Sequence, residues 1–251
     1  MAWLRSALYA VFLLVTVIPF ALGSVLWSPL PLSWRYRLTV GWPRLAIWGA
    51  RFIVGIRWQI KGWENLPDKP VVILSKHQSA WETMFLIAWM PRELCFVYKR
   101  ELHWVPFFGW GLALLKMIAI NRKKGSDSFE QVVAQGREKL AAGRWMIMFP
   151  EGTRIAPGKA GKYKSGGARV AVRTGAWVVP IAHNAGECWP RNAFVKRPGV
   201  ITVSIGPAIN SEGLTADALN RQVEAWIEGE MRVLNPERYK DGRPSERPSP
   251  R

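Results

Sequence analysis

Short, continuous apolar runs rich in β-branched residues recur along the middle of the chain. Strands buried on both faces of a sheet have this pattern, whereas a strand with one solvated face alternates apolar and polar residues. Six runs predict such strands: 71–74, 94–98, 117–120, 145–149, 177–181 and 200–205. Helical stretches fit between or after them at 81–90, 128–142, 164–174 and 219–234. The alternation predicts an α/β domain with a mostly buried mixed sheet flanked by helices.

A long apolar segment precedes this domain. The 29 residues between Arg5 and Arg35 carry no charge, and about 20 apolar residues are enough to span a bilayer core. Pro19 interrupts the segment, so residues 7–18 alone would form about 18 Å of helix, too short to cross. We therefore expect a kinked span or a helix that enters the membrane and returns. The alternative is a secretory signal with its cleavage site at 21–23.

The segment that follows favours a membrane anchor that is retained. Arg37, Arg44 and Arg51 recur every seven residues and so share one helical face, beside apolar residues such as Trp48. A basic stripe next to Trp and Leu is typical of a helix in the lipid headgroup layer. The alternative is an ordinary amphipathic helix packed on the domain. In either case Pro43 is expected to start or kink the helix.

Three units follow from these patterns. Residues 1–56 are expected to form membrane-associated helices, and residues 57–235 the α/β domain. Residues 236–251 are rich in Pro, Arg, Ser and Glu and predict a disordered basic tail.

Composition narrows the class of partner. Lys and Arg number 35 against 18 Asp and Glu, a net charge of +17, and the chain holds 15 Trp. Trp favours membrane interfaces as well as cores, so membrane lipid fits as an anionic partner better than nucleic acid, for which no recognition motif is visible. Two Cys exclude a disulfide scaffold, and no Cys/His cluster indicates a metal site.

The first candidate for chemistry is segment 75–82, Ser-Lys-His-Gln-Ser-Ala-Trp-Glu, where a predicted strand ends and a helix begins. A carboxylate at Glu82 can hydrogen-bond the imidazole of His77, fix its tautomer and stabilise its cation. The other ring nitrogen is then free to accept a proton. The alternative is structural, because Ser79 to Glu82 also has the pattern of a helix capping box.

Two further candidates follow other predicted strands. In segment 149–154, Phe-Pro-Glu-Gly-Thr-Arg, Gly152 lets the backbone approach a ligand and Arg154 offers a planar fork to a phosphate. Arg122 lies two residues after the strand predicted at 117–120. Residues 99–173 together carry 15 Lys and Arg against five Asp and Glu, a density that focuses a positive field on any cleft these loops share.

Together these residues resemble the lysophospholipid and glycerol-phosphate acyltransferases, and most closely the 1-acyl-glycerol-3-phosphate (lysophosphatidic acid) acyltransferases. The four sequence blocks of that family have counterparts in the same order at 77–82, 116–122, 149–154 and 178–181, and the link between the first two matches 99–109. The resemblance covers roughly residues 62–206. Glu82 stands where the family usually has Asp, and its longer arm shifts the geometry of the pair.

The resemblance implies transfer of a fatty acyl group from acyl-CoA or acyl carrier protein to the sn-2 hydroxyl of 1-acyl-glycerol-3-phosphate. The product would be phosphatidic acid for phospholipid biosynthesis, made at the cytoplasmic face of the inner or plasma membrane. His77 would be the general base and Glu82 its orienting partner. No metal or other cofactor is expected. Substrate binding is expected from Arg122, Glu151, Gly152, Thr153, Arg154, Lys99 and Lys164.

Within that scheme the acyl chain needs an apolar channel. Its lining is expected from Trp104, Phe107, Phe108 and Trp110, with ordinary core packing as the alternative. Two other functions stay open: an acyltransferase acting on a different lysolipid, and a non-catalytic protein that binds membrane lipid.

Overall fold

A computed structural model of the chain describes residues 1–105, 108–121 and 125–239. The helices are α1 (Ala2–Leu26), α2 (Leu32–Gly49), α3 (Trp81–Trp89), α4 (Phe108–Leu114), α5 (Gly125–Ala141), α6 (Gly166–Thr174), α7 (Ala185–Cys188) and α8 (Ala216–Leu234). The strands are β1 (Ile56–Lys61), β2 (Val71–Ser75), β3 (Leu94–Lys99), β4 (Ile118–Ile120), β5 (Trp145–Met148), β6 (Trp177–His183) and β7 (Gly199–Ile205). Single helical turns occur at Ala50–Val54, Trp63–Asn65, Arg100–Trp104 and Pro236–Arg238.

The strands form a mixed sheet in the order β1-β7-β6-β2-β5-β3-β4. From β6 to β4 neighbouring strands are parallel, whereas β7 runs antiparallel to β6 and pairs in parallel with β1. Every residue of the central strand β2 is buried, as its continuous apolar sequence predicts. The predicted α/β fold, with a mixed sheet flanked by helices, is confirmed.

The core lies on both faces of this sheet, because successive side chains of a strand point to opposite faces. On β2, Val72 and Leu74 pack into the core that α5, α6 and α8 cover. Val71 and Ile73 pack into the other core, which contains α3 and part of α1. The domain therefore has three layers, with α8 and α1 on opposite sides of the sheet.

Helix α1 is continuous, which corrects the expectation that Pro19 interrupts the N-terminal segment. At 1.5 Å per residue the helix is about 38 Å long, enough to cross a bilayer core. Pro19 removes one backbone hydrogen bond, but the adjacent Phe20 packs on α2, where a Cβ at Gly41 would come within 2.9 Å of the ring. Among the described residues, α1 is the helix with the length and composition of a membrane span.

The first half of α1 is built into the domain. Tyr9 is fully buried, and its hydroxyl donates a hydrogen bond to the Ala46 carbonyl of α2 over 2.8 Å. Its ring meets Trp189 edge-on, with 5.5 Å between ring centroids. The hydroxyl of Ser6 accepts a hydrogen bond from the Lys196 N–H over 2.8 Å. One side of α1 is therefore part of the protein core.

Helix α2 begins at Leu32, so the expectation that Pro43 starts it is wrong, and Pro43 lies inside the helix. The Tyr36 hydroxyl accepts a hydrogen bond of 2.8 Å from the first N–H of β3. Arg44 donates one of 3.2 Å to a carbonyl near the end of α3. One face of α2 is thus packed on the domain, while Trp34 on another face is exposed.

Strand β1 has no counterpart among the predicted strands. The exposure of its side chains alternates from one residue to the next, with Ile56 buried and Arg57 and Lys61 exposed. The charged residues broke the apolar run on which the strand predictions depended. Alternation with a period of two was the signal for this edge strand.

The first residues of the predicted tail are folded. Pro236–Arg238 forms a helical turn, and the Arg238 guanidinium donates two hydrogen bonds of 3.0 Å to the two carboxylate oxygens of Glu187. The rest of the predicted tail, 240–251, lies outside the described residues.

Candidate active site

The polar segments singled out by the sequence meet at one edge of the sheet. Leu74 of β2 pairs with Met148 of β5 and with Pro180 of β6, all in parallel register. The chain therefore leaves these three strands at the same edge, where functional groups of α/β proteins commonly lie. The loop after β2, residues 76–80 (the His77 loop), faces segment 149–154 after β5.

Glu82 holds both His77 and the start of α3. Its Oε1 lies 2.7 Å from His77 Nδ1 and accepts hydrogen bonds of 3.0 Å from the N–H groups of Gln78 and Ser79. An ionised carboxylate only accepts, so Nδ1 carries the ring proton and Nε2 keeps a free lone pair. The Ser79 hydroxyl accepts from the Trp81 N–H at 3.1 Å, as in a helix cap. The capping and catalytic interpretations are therefore compatible.

The surroundings of Glu82 favour its charged form. Burial alone would raise the pKa of Glu82, whose side chain is 1% exposed. The imidazoles of His183 and His77 and the Ser79 N–H outweigh burial, so the pKa of Glu82 lies below its usual value. A carboxylate in this state stabilises the imidazolium that forms when His77 accepts a proton.

The imidazole of His77 is held firmly but is reachable. Its ring stacks on Phe149, with 4.0 Å between centroids and 20° between planes. The side chain remains 15% exposed, whereas Nδ1 is committed to Glu82. Nε2 is thus the ring nitrogen that Glu82 leaves free.

Glu151 contacts the His77 loop. Its Oε2 accepts a hydrogen bond of 2.8 Å from the His77 N–H, and its Oε1 lies 2.6 Å from Nζ of Lys76. Burial raises the pKa of Glu151, Lys76 opposes this, and neighbouring Glu228 adds to it, leaving the pKa above its usual value. Glu151 therefore holds the His77 loop through two of its residues, Lys76 and His77.

The end of the Lys164 side chain lies over Gly152. Gly152 has φ +67°, a left-handed conformation that favours glycine, and a Cβ there would lie 3.1 Å from the Lys164 ammonium. The Ile155 N–H donates a hydrogen bond of 2.7 Å to the His77 carbonyl, so exposed Thr153 and half-buried Arg154 lie beside the His77 loop. In the described part of the chain, neither Arg154 nor Lys164 forms an ion pair with a carboxylate.

Lys99 and Arg122 are the two other residues expected to bind substrate. Lys99 is exposed at the end of β3, on the same edge of the sheet, but β5 separates it from β2. Arg122 lies outside the described residues. The basic site that the structure describes is therefore built on Arg154 and Lys164.

Two of the four aromatic residues expected to line an acyl channel are described in full. Trp104 and Trp110 are exposed by 83% and 46%, so they are not core residues. Phe107 and the side chain of Phe108 lie outside the described residues. The acyl-chain path stays a prediction.

Sequence reasoning missed two buried groups at this site. Lys76 is fully buried and pairs with Glu151 and with Glu228 of α8. His183 is also fully buried; its Nε2 donates to the Lys76 carbonyl at 2.8 Å and burial lowers its pKa. The one signal for Lys76 was a charged residue directly after a strand that is apolar except for its last residue, Ser75.

A histidine oriented by a buried carboxylate can serve as a general base, and cations that pair with no carboxylate among the described residues can attract an anion. The chain belongs to the acyltransferase family: the model described as "Acyltransferase" matches residues 57–184. The family resemblance drawn from the sequence is thereby confirmed. Among the described residues no group of three or more His, Cys, Asp or Glu side chains is placed to hold a metal ion.

Curated relatives agree with this assignment, and a solved structure shares the fold. A 1-acyl-sn-glycerol-3-phosphate acyltransferase of Pseudomonas aeruginosa is 47% identical over 240 residues, which cover 93% of this chain and 92% of the relative. One of Limnanthes alba is 29% identical over 84% of this chain and 75% of the relative. The crystal structure of the 1-acyl-sn-glycerophosphate (LPA) acyltransferase PlsC from Thermotoga maritima matches with a TM-score of 0.76 at 20% identity, covering 94% of this chain and 98% of that one. This last likeness shows the shared fold.

Proposed function

We propose that this chain transfers a fatty acyl group from an acyl thioester to the sn-2 hydroxyl of 1-acyl-glycerol-3-phosphate, giving phosphatidic acid. The observation that carries the proposal is the bond between His77 Nδ1 and Glu82 Oε1, 2.7 Å long, beside the cations of Arg154 and Lys164. The name of the Pseudomonas aeruginosa relative supports the choice of substrate.

In the proposed reaction His77 acts as general base. Nε2 accepts the proton of the acceptor hydroxyl as its oxygen attacks the thioester carbon, help that is typically worth about 10²–10⁴ in rate. Glu82 stabilises the resulting imidazolium. When the tetrahedral intermediate collapses, the C–S bond breaks, and the imidazolium returns its proton to the leaving thiolate. The thioester is already activated, so no acyl-enzyme forms.

The phosphate of the acceptor is proposed to bind at Arg154 and Lys164. Arg154 offers two parallel N–H groups to phosphate oxygens, and the ammonium of the exposed Lys164, which lies over Gly152, adds a second charge. Thr153 is proposed to add a hydroxyl contact, and Arg122 and Lys99 to extend the positive field.

Replacing Arg154 by alanine is expected to raise the KM for lysophosphatidate by about tenfold to a hundredfold, because a charge-assisted hydrogen-bond pair is lost. The KM for the acyl donor should change little. Steady-state kinetics with each substrate varied in turn provide the measurement. Arg137→Ala, which removes an exposed arginine of α5, serves as the matched control, and an unchanged lysophosphatidate KM in Arg154→Ala would count against the phosphate site.

Membrane association is proposed to depend on the exposed side of α1. Because its other side is packed into the domain through Tyr9 and Ser6, α1 is proposed to be a retained anchor and not a cleaved signal. Acceptor and product are both lipids, which places the reaction at a membrane surface, proposed here to be the cytoplasmic face. The exposed apolar residues of α1 include Leu4, Leu8, Val11, Val15, Ile18 and Leu22.

Introducing charge on this side should weaken membrane binding. The double variant Val11→Glu/Val15→Glu is expected to lower partitioning into phospholipid vesicles by at least about tenfold, because charged groups are costly in hydrocarbon. Co-sedimentation with vesicles measures the bound fraction. Val233→Glu, at an exposed apolar position of α8, should bind like the wild type; equal binding of the double variant would show that α1 is not the anchor.

The substrate assignment is tested by an acceptor and donor panel with purified protein in detergent. Lysophosphatidate should be acylated faster than lysophospholipids with other headgroups, from acyl-CoA or from acyl carrier protein. Faster acylation of another lysolipid would favour the alternative acceptor. No acylation of any acceptor from either donor would favour a protein that only binds lipid.

A further inference from the structure

Lys76 is a fully buried lysine next to the reactive histidine. Its Nζ lies 2.6 Å from Glu151 Oε1 and 2.6 Å from Glu228 Oε1, and it donates a longer hydrogen bond of 3.3 Å to the Lys159 carbonyl. A lysine is almost never fully buried unless it is paired, because an isolated ammonium group is strongly destabilised away from water. Its two carboxylate partners explain why it is retained there.

One of these partners connects Lys76 to the His77 backbone. The Glu151 carboxylate uses Oε1 for the Lys76 ammonium and Oε2 for the His77 N–H. The backbone of Lys76 is fixed as well: its N–H donates to the Ile181 carbonyl at 2.9 Å, and its carbonyl accepts from His183 Nε2 at 2.8 Å. The start of the His77 loop is therefore held at its backbone and through a buried charge pair.

The other partner brings in the C-terminal helix. Glu228 belongs to α8, outside residues 57–184 of the family match. The Tyr163 hydroxyl donates a hydrogen bond of 2.8 Å to Glu228 Oε1. Burial and Glu228 raise the pKa of Tyr163, so it remains a donor at neutral pH. Lys76 is thus the cation that keeps the carboxylates of two distant elements together.

We propose that Lys76 is a positioning residue for the acyl transfer: by holding Glu151 and Glu228, it fixes the backbone from which the His77 imidazole reaches the acceptor hydroxyl. The role rests on the proposed function and extends it, since Lys76 itself touches no substrate. Without the ammonium, two buried carboxylates face each other unpaired, and Glu151 no longer has a fixed place from which to hold His77.

The test is Lys76→Met, which keeps much of the side-chain length and removes the charge. We expect kcat to fall by about tenfold to a hundredfold, the range that follows from small misplacement of a catalytic group. The KM for lysophosphatidate should stay within about twofold, because Lys76 forms no ion pair or hydrogen bond with Arg154 or Lys164 in the described part of the chain. Lys139→Met serves as the matched control: it removes a buried lysine of α5 that pairs with Glu138, and kcat should be unchanged.

Amide hydrogen exchange gives a second measurement that is independent of turnover. The His77 N–H should exchange faster in Lys76→Met than in the wild type, with unchanged exchange across α5. A folded Lys76→Met protein with wild-type kcat, or with kcat and KM changed by the same factor, would overturn the proposal. If this variant does not fold, Glu228→Gln decides: lower kcat with unchanged KM supports the proposal, and wild-type kcat overturns it.

Failure of the proposed function is distinguishable from failure of this inference. A wild-type protein that does not acylate lysophosphatidate overturns the proposed function. Exchange at His77 then tests Lys76 alone: faster exchange in Lys76→Met supports the contact, and unchanged exchange overturns it.

Discussion

His77→Ala is expected to be a folded, membrane-bound protein whose kcat for acyl transfer is lower by at least about a hundredfold. The variant has no group that accepts the proton of the attacking hydroxyl, so the oxygen must attack unassisted. The His77 side chain is partly exposed and lies in a loop, so its loss should cost little stability. Release of free CoA in the presence of lysophosphatidate measures the rate, and thermal unfolding and vesicle co-sedimentation verify the fold.

The matched control for this variant is another histidine outside the site. His103 follows β3, and its Nδ1 lies 2.9 Å from the Tyr98 hydroxyl. His103→Ala should retain a kcat near that of the wild type. If His77→Ala turns over at nearly the wild-type rate while folded, His77 is not the base.

Changes at Glu82 are expected to have the second-largest effect. Glu82→Ala removes the carboxylate that orients the His77 ring, and it leaves the N–H groups of Gln78 and Ser79 without an acceptor. We expect kcat to fall by at least about a hundredfold. Leaving these N–H groups unpaired should also reduce the free energy of unfolding by about 1–3 kcal/mol.

Two milder variants separate orientation from charge. Glu82→Gln can keep an oxygen at the Oε1 position, and with it the tautomer of His77, but it loses the charge that stabilises the imidazolium; kcat should fall by about tenfold or more. Glu82→Asp keeps the charge on a shorter arm and should retain the most activity. Steady-state kinetics and chemical denaturation of all three provide the measurements. An aspartate variant as damaged as the alanine variant would contradict the view that charge at this position matters.

The central strands were predictable because burial on both faces imposes a continuous apolar sequence. Strands β2 and β6 follow that rule, whereas β1, at the edge of the sheet, alternates and was missed. The path of α1 through Pro19 was not predictable, since the lost backbone hydrogen bond is compensated by packing on α2, which is tertiary information.

For the site, the sequence predicted the contact between residues that lie close together along the chain and missed those between distant residues. His77 and Glu82 lie five residues apart, and the sequence alone predicts that they can meet across a helix start. Lys76 and Glu228 are 152 residues apart, so only the packing of α8 on the sheet reveals their pairing. The same holds for the hydrogen bond between Glu151 and the His77 N–H, which joins residues 74 positions apart.

The central claim is that His77 accepts the proton of the lysophosphatidate hydroxyl and that the acyl group passes directly from the donor to that hydroxyl, without an acyl-enzyme intermediate. A rapid-quench single-turnover experiment tests this claim most directly. Wild-type protein and His77→Ala are mixed with labelled acyl donor at saturating lysophosphatidate, and phosphatidic acid is quantified over time. We predict that the wild type forms phosphatidic acid without a labelled protein intermediate and that His77→Ala forms it at least about a hundredfold more slowly. Equal rates in the two proteins, or accumulation of acylated protein before product, would contradict the account.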